Sequence, residues 1–169
     1  MKKQNIILIG FMGVGKGTIA RALVKQSDYF AVDTDDLIES LENKKIKKIF
    51  EQKGEPYFRG LEKKCATWCE ENLQGTIIST GGGFYKQANI KDIGKIVYLQ
   101  ASFHGIINRL KSAPNAKAKF KKRPLLNDLV KAKELYNQRV KEYEKVADIV
   151  LNVEHGDSIQ AAKEILEQI

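Results

Sequence analysis

Nine residues constrain this 169-residue chain more than any others: Gly10 to Thr18, reading GFMGVGKGT. They follow an apolar run, Asn5–Ile9, and open a segment of helical periodicity, Lys16–Lys25. A glycine-rich turn between a strand and a helix is the setting of a phosphate-binding loop. Its glycines let backbone N–H groups turn inward around a phosphate chain, and the helix N-terminus adds partial positive charge. Lys16 is placed to reach the β- and γ-phosphates. The pattern predicts that Gly13, Val14, Gly15, Lys16, Gly17 and Thr18 hold a nucleoside triphosphate. One position departs from the usual form. The residue after the lysine is commonly Ser or Thr, whose hydroxyl binds Mg²⁺, and here it is Gly17. Either phosphates, waters and a carboxylate hold the metal, or Thr18 partly substitutes.

Four more short runs rich in Ile, Val or Leu follow: Phe30–Asp33, Thr76–Ser79, Lys95–Leu99 and Asp148–Val153. Each has the length of a buried strand. Helical periodicity fills much of the space between, most clearly over Lys16–Lys25, Phe58–Glu71, Asp128–Tyr143 and Ser158–Leu166. Strands alternating with helices predict an α/β fold with a parallel sheet covered on both faces. The length fits one domain over residues 1–169. Ligands of such sheets sit beyond the carboxyl ends of the strands. The functional residues should therefore follow the apolar runs directly. The glycine loop follows the first, Asp33-Thr34-Asp35-Asp36 ends the second, and Gly81-Gly82-Gly83 follows the third.

Transfer of phosphate to an alcohol needs one carboxylate near the attacking hydroxyl and another near the metal. The i, i+2 spacing of Asp33 and Asp35 suits that division. Capping of the following helix is the competing reading, above all for Asp36. The net charge of +8 is compatible with nucleic acid, an acidic surface or a small anionic substrate. Its densest stretch, Lys111–Arg123, is polar, contains Pro114 and Asn115, and reads as a mobile loop, not a recognition helix. No nucleic-acid partner is needed to explain it. No apolar run approaches the roughly 20 residues of a membrane span. The start lacks the form of a signal peptide, so the cytoplasm is expected. Cys65 and Cys69 fall on one face of a helix, with His104 and His155 far along the chain. They read as two small packing residues in a reducing compartment, not as zinc ligands.

The ordered set of motifs resembles the shikimate kinases. The set comprises the phosphate loop, Asp33-Thr34-Asp35, Phe58-Arg59-Gly60-Leu61-Glu62, Gly81-Gly82-Gly83 and Arg123-Pro124-Leu125-Leu126, and the match runs to about Tyr143. The resemblance implies a three-layer P-loop kinase fold with a five-stranded parallel sheet and a mobile lid, approximately residues 111–126. It implies a substrate-binding region over approximately 33–62, ATP and Mg²⁺ as cofactors, and shikimate as the acceptor; a monomer is the default expectation for a single small domain. It also implies roles. Asp35 binds shikimate hydroxyls and is the leading base candidate. Asp33 lies near Mg²⁺, acting through water. Arg59 and Arg139 hold the shikimate carboxylate, and the Gly82 backbone contacts the substrate. Arg123 closes over the transferring phosphate, and Arg109 lies near adenine. Two parallel hydrogen bonds from an arginine suit a carboxylate. Glu62, one turn from Arg59, either holds that guanidinium in place or makes an ordinary surface ion pair. No adenine contact is assigned within Asn152–Gly156, which lacks a proline for the adenine pocket.

Three other classes compete. Another small-molecule kinase, of the adenylate or gluconate type, is the first; adenylate kinases share the Gly-Lys-Gly-Thr form, but no Asp-Gly-Phe-Pro-Arg-like segment occurs, and Arg59, Gly81-Gly82-Gly83 and Arg139 fit an acid acceptor. A guanine-nucleotide switch would carry Asn-Lys-x-Asp, whereas Asn43-Lys44-Lys45 is followed by Ile46. Nucleic-acid binding rests on charge alone.

Overall fold

The structure, a computed structural model describing residues 3–169, is built on five parallel strands. They are β1 (Ile6–Ile9), β2 (Phe30–Asp33), β3 (Thr76–Ser79), β4 (Lys95–Gln100) and β5 (Ile149–Asn152), in the spatial order β2-β3-β1-β4-β5. β1 lies at the centre, with Ile7 aligned on Ile78 of β3 and Ile96 of β4. Strands covered on both faces need apolar side chains at successive positions. Every residue of β1 and β3 is accordingly buried. The edges differ. Phe30 of β2 is 76% exposed, and β5 alternates buried Ile149 and Leu151 with exposed Val150 and Asn152.

Parallel strands require crossovers, and helices supply them. They are α1 (Lys16–Lys25), α2 (Thr34–Glu42), α3 (Ile46–Asn72), α4 (Ile90–Ile93), α5 (Phe103–Ser112), α6 (Ala116–Lys121), α7 (Leu129–Val146) and α8 (Ser158–Leu166). α1 packs on α8. Each of the two helices carries two buried alanines, Ala20 and Ala22 on one and Ala161 and Ala162 on the other. The chain leaves β1 towards β2 on one side, while β4 lies on the other. Such a reversal opens a crevice at the carboxyl ends of the strands, where ligands of this architecture bind.

Two expectations change. Lys111–Arg123 is not a loop: α5 runs to Ser112, and α6 occupies Ala116–Lys121. Pro114 and Asn115 mark only the joint between two helices. Alanine and lysine favour the helix that follows, and Phe120 packs partly buried against the core. The helix expected over Phe58–Glu71 instead spans Ile46–Asn72, with a break at Gly54 (φ 80°, ψ 171°) just ahead of Pro56. Positive φ is accessible to glycine, so two helices run on through one bend. Cys65 and Cys69 are free and buried on α3, as their spacing implies. No helix among the described residues is long and apolar enough to cross a membrane.

Candidate active site

The glycine loop joins β1 to α1. Gly13 and Gly15 take positive φ values of 85° and 108°. A side chain at Gly13 would also sit 2.8 Å from Leu110 Cδ1, so both conformation and space demand glycine. Lys16 Nζ donates to Gly10 O at 2.6 Å and Phe11 O at 3.1 Å, which holds the ammonium against the loop. Burial draws its pKa down to about 8, against the attraction of Asp33 and Asp35. The positive charges of Arg123 and Arg139 push it the same way as burial.

A second cluster forms where β2 and β3 end. Asp33 caps α2, its Oδ1 accepting from Asp35 N at 2.9 Å and Asp36 N at 3.3 Å. The capping role expected above all of Asp36 thus falls to Asp33, because only the residue preceding the first helical turn can reach those donors. Thr34 is fully buried and accepts from Gly81 N–H at 3.1 Å, tying the aspartates to the glycine triplet. The triplet is not a merely flexible turn. A Cβ on Gly81 would lie 2.7 Å from Asp35 Oδ1, on Gly82 2.9 Å from Arg139 Nη1, and on Gly83 2.5 Å from Arg59 Nη1. Each glycine therefore leaves room for one of the three side chains expected to bind the acceptor. Tyr143, one turn beyond Arg139 on α7, donates to Gly82 O at 2.6 Å and holds the triplet from the other side.

The charges in this cluster are under tension. Asp35 Oδ1 and Arg139 Nε are buried with no hydrogen-bond partner, a costly state that a polar ligand would relieve. Burial, with repulsion from Asp33 and Glu62, pushes the Asp35 pKa up to about 7, and Lys16 opposes the rise. A carboxyl group poised there can exchange a proton near neutrality. Glu62 is 1% exposed, and its Oε2 accepts from Arg59 Nη1 at 2.6 Å. It is a buried anchor, not a surface pair. Burial raises its pKa, against Arg59 and Arg139. Burial alone would lower the Arg59 pKa, but the hydrogen bonds and charges of Glu62 and Glu55 outweigh it and raise it.

Arg123 sits just before a short turn of helix, Pro124–Asn127, and its Nη1 donates to Lys119 O at 2.8 Å. Burial holds its pKa below the ordinary value. Arg109 lies on the opposite side of the loop. Its guanidinium donates to Val14 O at 2.6 Å and Val153 O at 2.8 Å. It lines a cavity of about 180 Å³ with Val14, Gly15, Thr18, Val153 and Gly156, among others. Val153 and Gly156 belong to the segment to which no adenine contact is assigned above. Nothing in that sequence marks them, because the cavity wall is set by the return of β5 alongside β4.

Among the described residues, no group of three or more His, Cys, Asp or Glu side chains can hold a metal ion. The candidate ligands are the Asp33 carboxylate and the exposed Thr18 hydroxyl, whose Oγ1 accepts from Arg21 at 3.3 Å. Mg²⁺ takes few protein oxygens and completes its shell with phosphates and water. This sparse set of hard oxygens fits Mg²⁺ arriving with a triphosphate.

A family model described as shikimate kinase matches residues 12–169. A shikimate kinase of Helicobacter hepaticus is 37% identical over 97% of this chain and 95% of its own length. One from a Sulfurihydrogenibium species is 39% identical over 98% of each chain. The solved shikimate kinase of Acinetobacter baumannii in complex with shikimate superposes with a TM-score of 0.84 at 29% identity, covering 98% of this chain and 92% of that one.

Proposed function

The chain belongs to the shikimate kinase family, and from that premise we propose that it transfers the γ-phosphoryl group of ATP to the 3-hydroxyl of shikimate. The products are shikimate 3-phosphate and ADP, on the route to chorismate and the aromatic amino acids. The observation that carries this reading is the placement of Asp35, Arg139 and Arg59 against three successive glycines. Two guanidinium groups and one carboxyl in such proximity suit a small acid that also bears hydroxyls.

The phosphate chain of ATP lies along Gly13, Val14, Gly15, Lys16, Gly17 and Thr18, with Arg109 on the base side. Arg59 and Arg139 clamp the shikimate carboxylate, and the Gly82 backbone contacts the ring. Asp35 accepts the proton of the 3-hydroxyl as its oxygen attacks the γ-phosphorus. The bond from that phosphorus to the bridging oxygen breaks, and ADP carries away the electron pair. Arg123 and Lys16 neutralise the charge shared among the phosphoryl oxygens. Mg²⁺, held by Asp33 through water and by Thr18, would supply further neutralisation of the phosphates. Residues 33–62 serve as the acceptor region and 111–126 as the lid of a monomeric, cytoplasmic enzyme.

The test is ADP release with ATP and Mg²⁺, run with shikimate, gluconate or AMP as acceptor. Turnover that depends on shikimate supports the reading. Phosphorylation of AMP without shikimate would overturn it.

A further inference from the structure

Glu154 lies between two lining residues of the nucleotide cavity, Val153 and Gly156, but is not itself part of the lining. Its carboxylate grips the start of α5 instead. Oε2 accepts from Ser102 N at 2.5 Å and Oε1 from Ser102 Oγ at 2.7 Å. Ser102 Oγ in turn accepts from Gly105 N at 2.9 Å, so one hydroxyl both caps the helix and donates to the carboxylate. A side chain on Gly105 would collide with Glu154 Oε1, so glycine is needed there for the carboxylate to approach. The Glu154 backbone is fixed as well, its N–H donating to Asn152 Oδ1 at 2.9 Å. The hydrogen bonds from the Ser102 hydroxyl and backbone, with the charges of His155 and Arg109, hold the Glu154 carboxyl below its ordinary pKa.

Further along the same helix, Arg109 donates to Val153 O. α5 therefore holds consecutive residues of the segment after β5 at two points. At Ser102 it binds the Glu154 side chain, and through Arg109 it binds the Val153 carbonyl. We propose that Glu154 is a positioning residue for nucleotide binding: its clasp on Ser102 fixes the base-side wall of the cavity, while the phosphate loop has its own tie to α5 further along, Arg109 donating to Val14 O. A negative charge at a helix N-terminus is the favourable sign for such a tie. The inference rests on the reading of this cavity as the nucleotide site.

The experiment separates the base from the phosphates. Calorimetry measures ADP and inorganic tripolyphosphate binding to the wild type, Glu154→Ala and Glu154→Gln, with melting curves to check folding. In Glu154→Ala, ADP should weaken by about tenfold, the scale of a lost charge-assisted hydrogen bond, with tripolyphosphate affinity unchanged. Glu154→Gln retains one acceptor and should fall between. With shikimate and ATP, the Glu154→Ala enzyme should show a raised KM for ATP alone. Unchanged ADP affinity, or equal losses for ADP and tripolyphosphate, would overturn the proposal. Failure of the wild type to bind ADP would instead refute the nucleotide reading on which it stands.

Discussion

Replacing Asp35 by asparagine should damage the reaction and stabilise the protein, and the two effects share one cause. The carboxyl group is held in a half-buried site beside Asp33 and Glu62, with its pKa raised from 3.8 to about 7. Each pKa unit corresponds to about 1.36 kcal/mol, so a rise of roughly three units sets a ceiling of about 4 kcal/mol on the cost of the ionised form. Partial solvent access reduces that figure. The uncharged amide would also no longer attract Lys16, which removes part of the gain. The expected net stabilisation at pH 8 is about 1 kcal/mol, or about 2–4 °C in Tm for a domain of this size. The sign follows from linkage. Between pH 3.8 and about 7 the native state binds more protons at Asp35 than the unfolded state does, so its contribution to stability falls as pH rises through that window. The gain of Asp35→Asn should therefore grow from pH 5 to pH 8. Thermal and urea unfolding of the ligand-free proteins at both pH values measure it. Turnover should fall by about 10²–10⁴, the range for loss of a positioned acid–base group, with ATP affinity nearly intact. Unchanged kcat would remove Asp35 as base or essential orienter. A variant less stable than the wild type at pH 8, or a pH-independent difference, would refute the strained-carboxylate argument.

The shikimate kcat/KM should rise through about pH 7 as Asp35 loses its proton, and fall above about pH 8 as Lys16 loses its own. A flat profile from pH 6 to 9 would contradict both assignments. Gly83→Ala places a methyl 2.5 Å from Arg59 Nη1 and should raise the shikimate KM by about tenfold, the scale of one displaced charged hydrogen bond. Gly60→Ala, with open space around it, is the control, and equal effects from the two changes would refute the steric account. Gly17→Ser has room, since its Cβ would meet only Arg21 Nη1 at 3.5 Å. It should lower the Mg²⁺ concentration for half-maximal activity, and no shift would show that the chain lacks no hydroxyl ligand of consequence.

Much of this fold is legible in the residues alone. The five apolar runs correspond to the five strands, within a residue at each end, because buried parallel strands must be apolar at successive positions. The helices Lys16–Lys25 and Ser158–Leu166 match their periodicity to the residue. α6 is hidden because proline and asparagine at a helix joint look, locally, like a loop. The long α3 is hidden because a glycine break interrupts its pattern. Local signals report local conformation and say nothing of what the next element supplies.

The candidate site divides along the same line. The glycine loop is a property of the chain by itself, since it needs only a strand, a turn and a helix in succession. Asp35, Arg59 and Arg139 are separable from ordinary surface charges by residue order and resemblance, but their mutual placement is not. Only packing brings three glycines against three different side chains from α2, α3 and α7, buries Glu62 beneath Arg59, and sets Tyr143 behind Gly82. The same packing gives Glu154 to Ser102 across 52 residues of sequence. Burial and charge proximity belong to the tertiary structure. They turn an aspartate of ordinary acidity into one that titrates near neutrality, and no reading of neighbours along the chain contains that information.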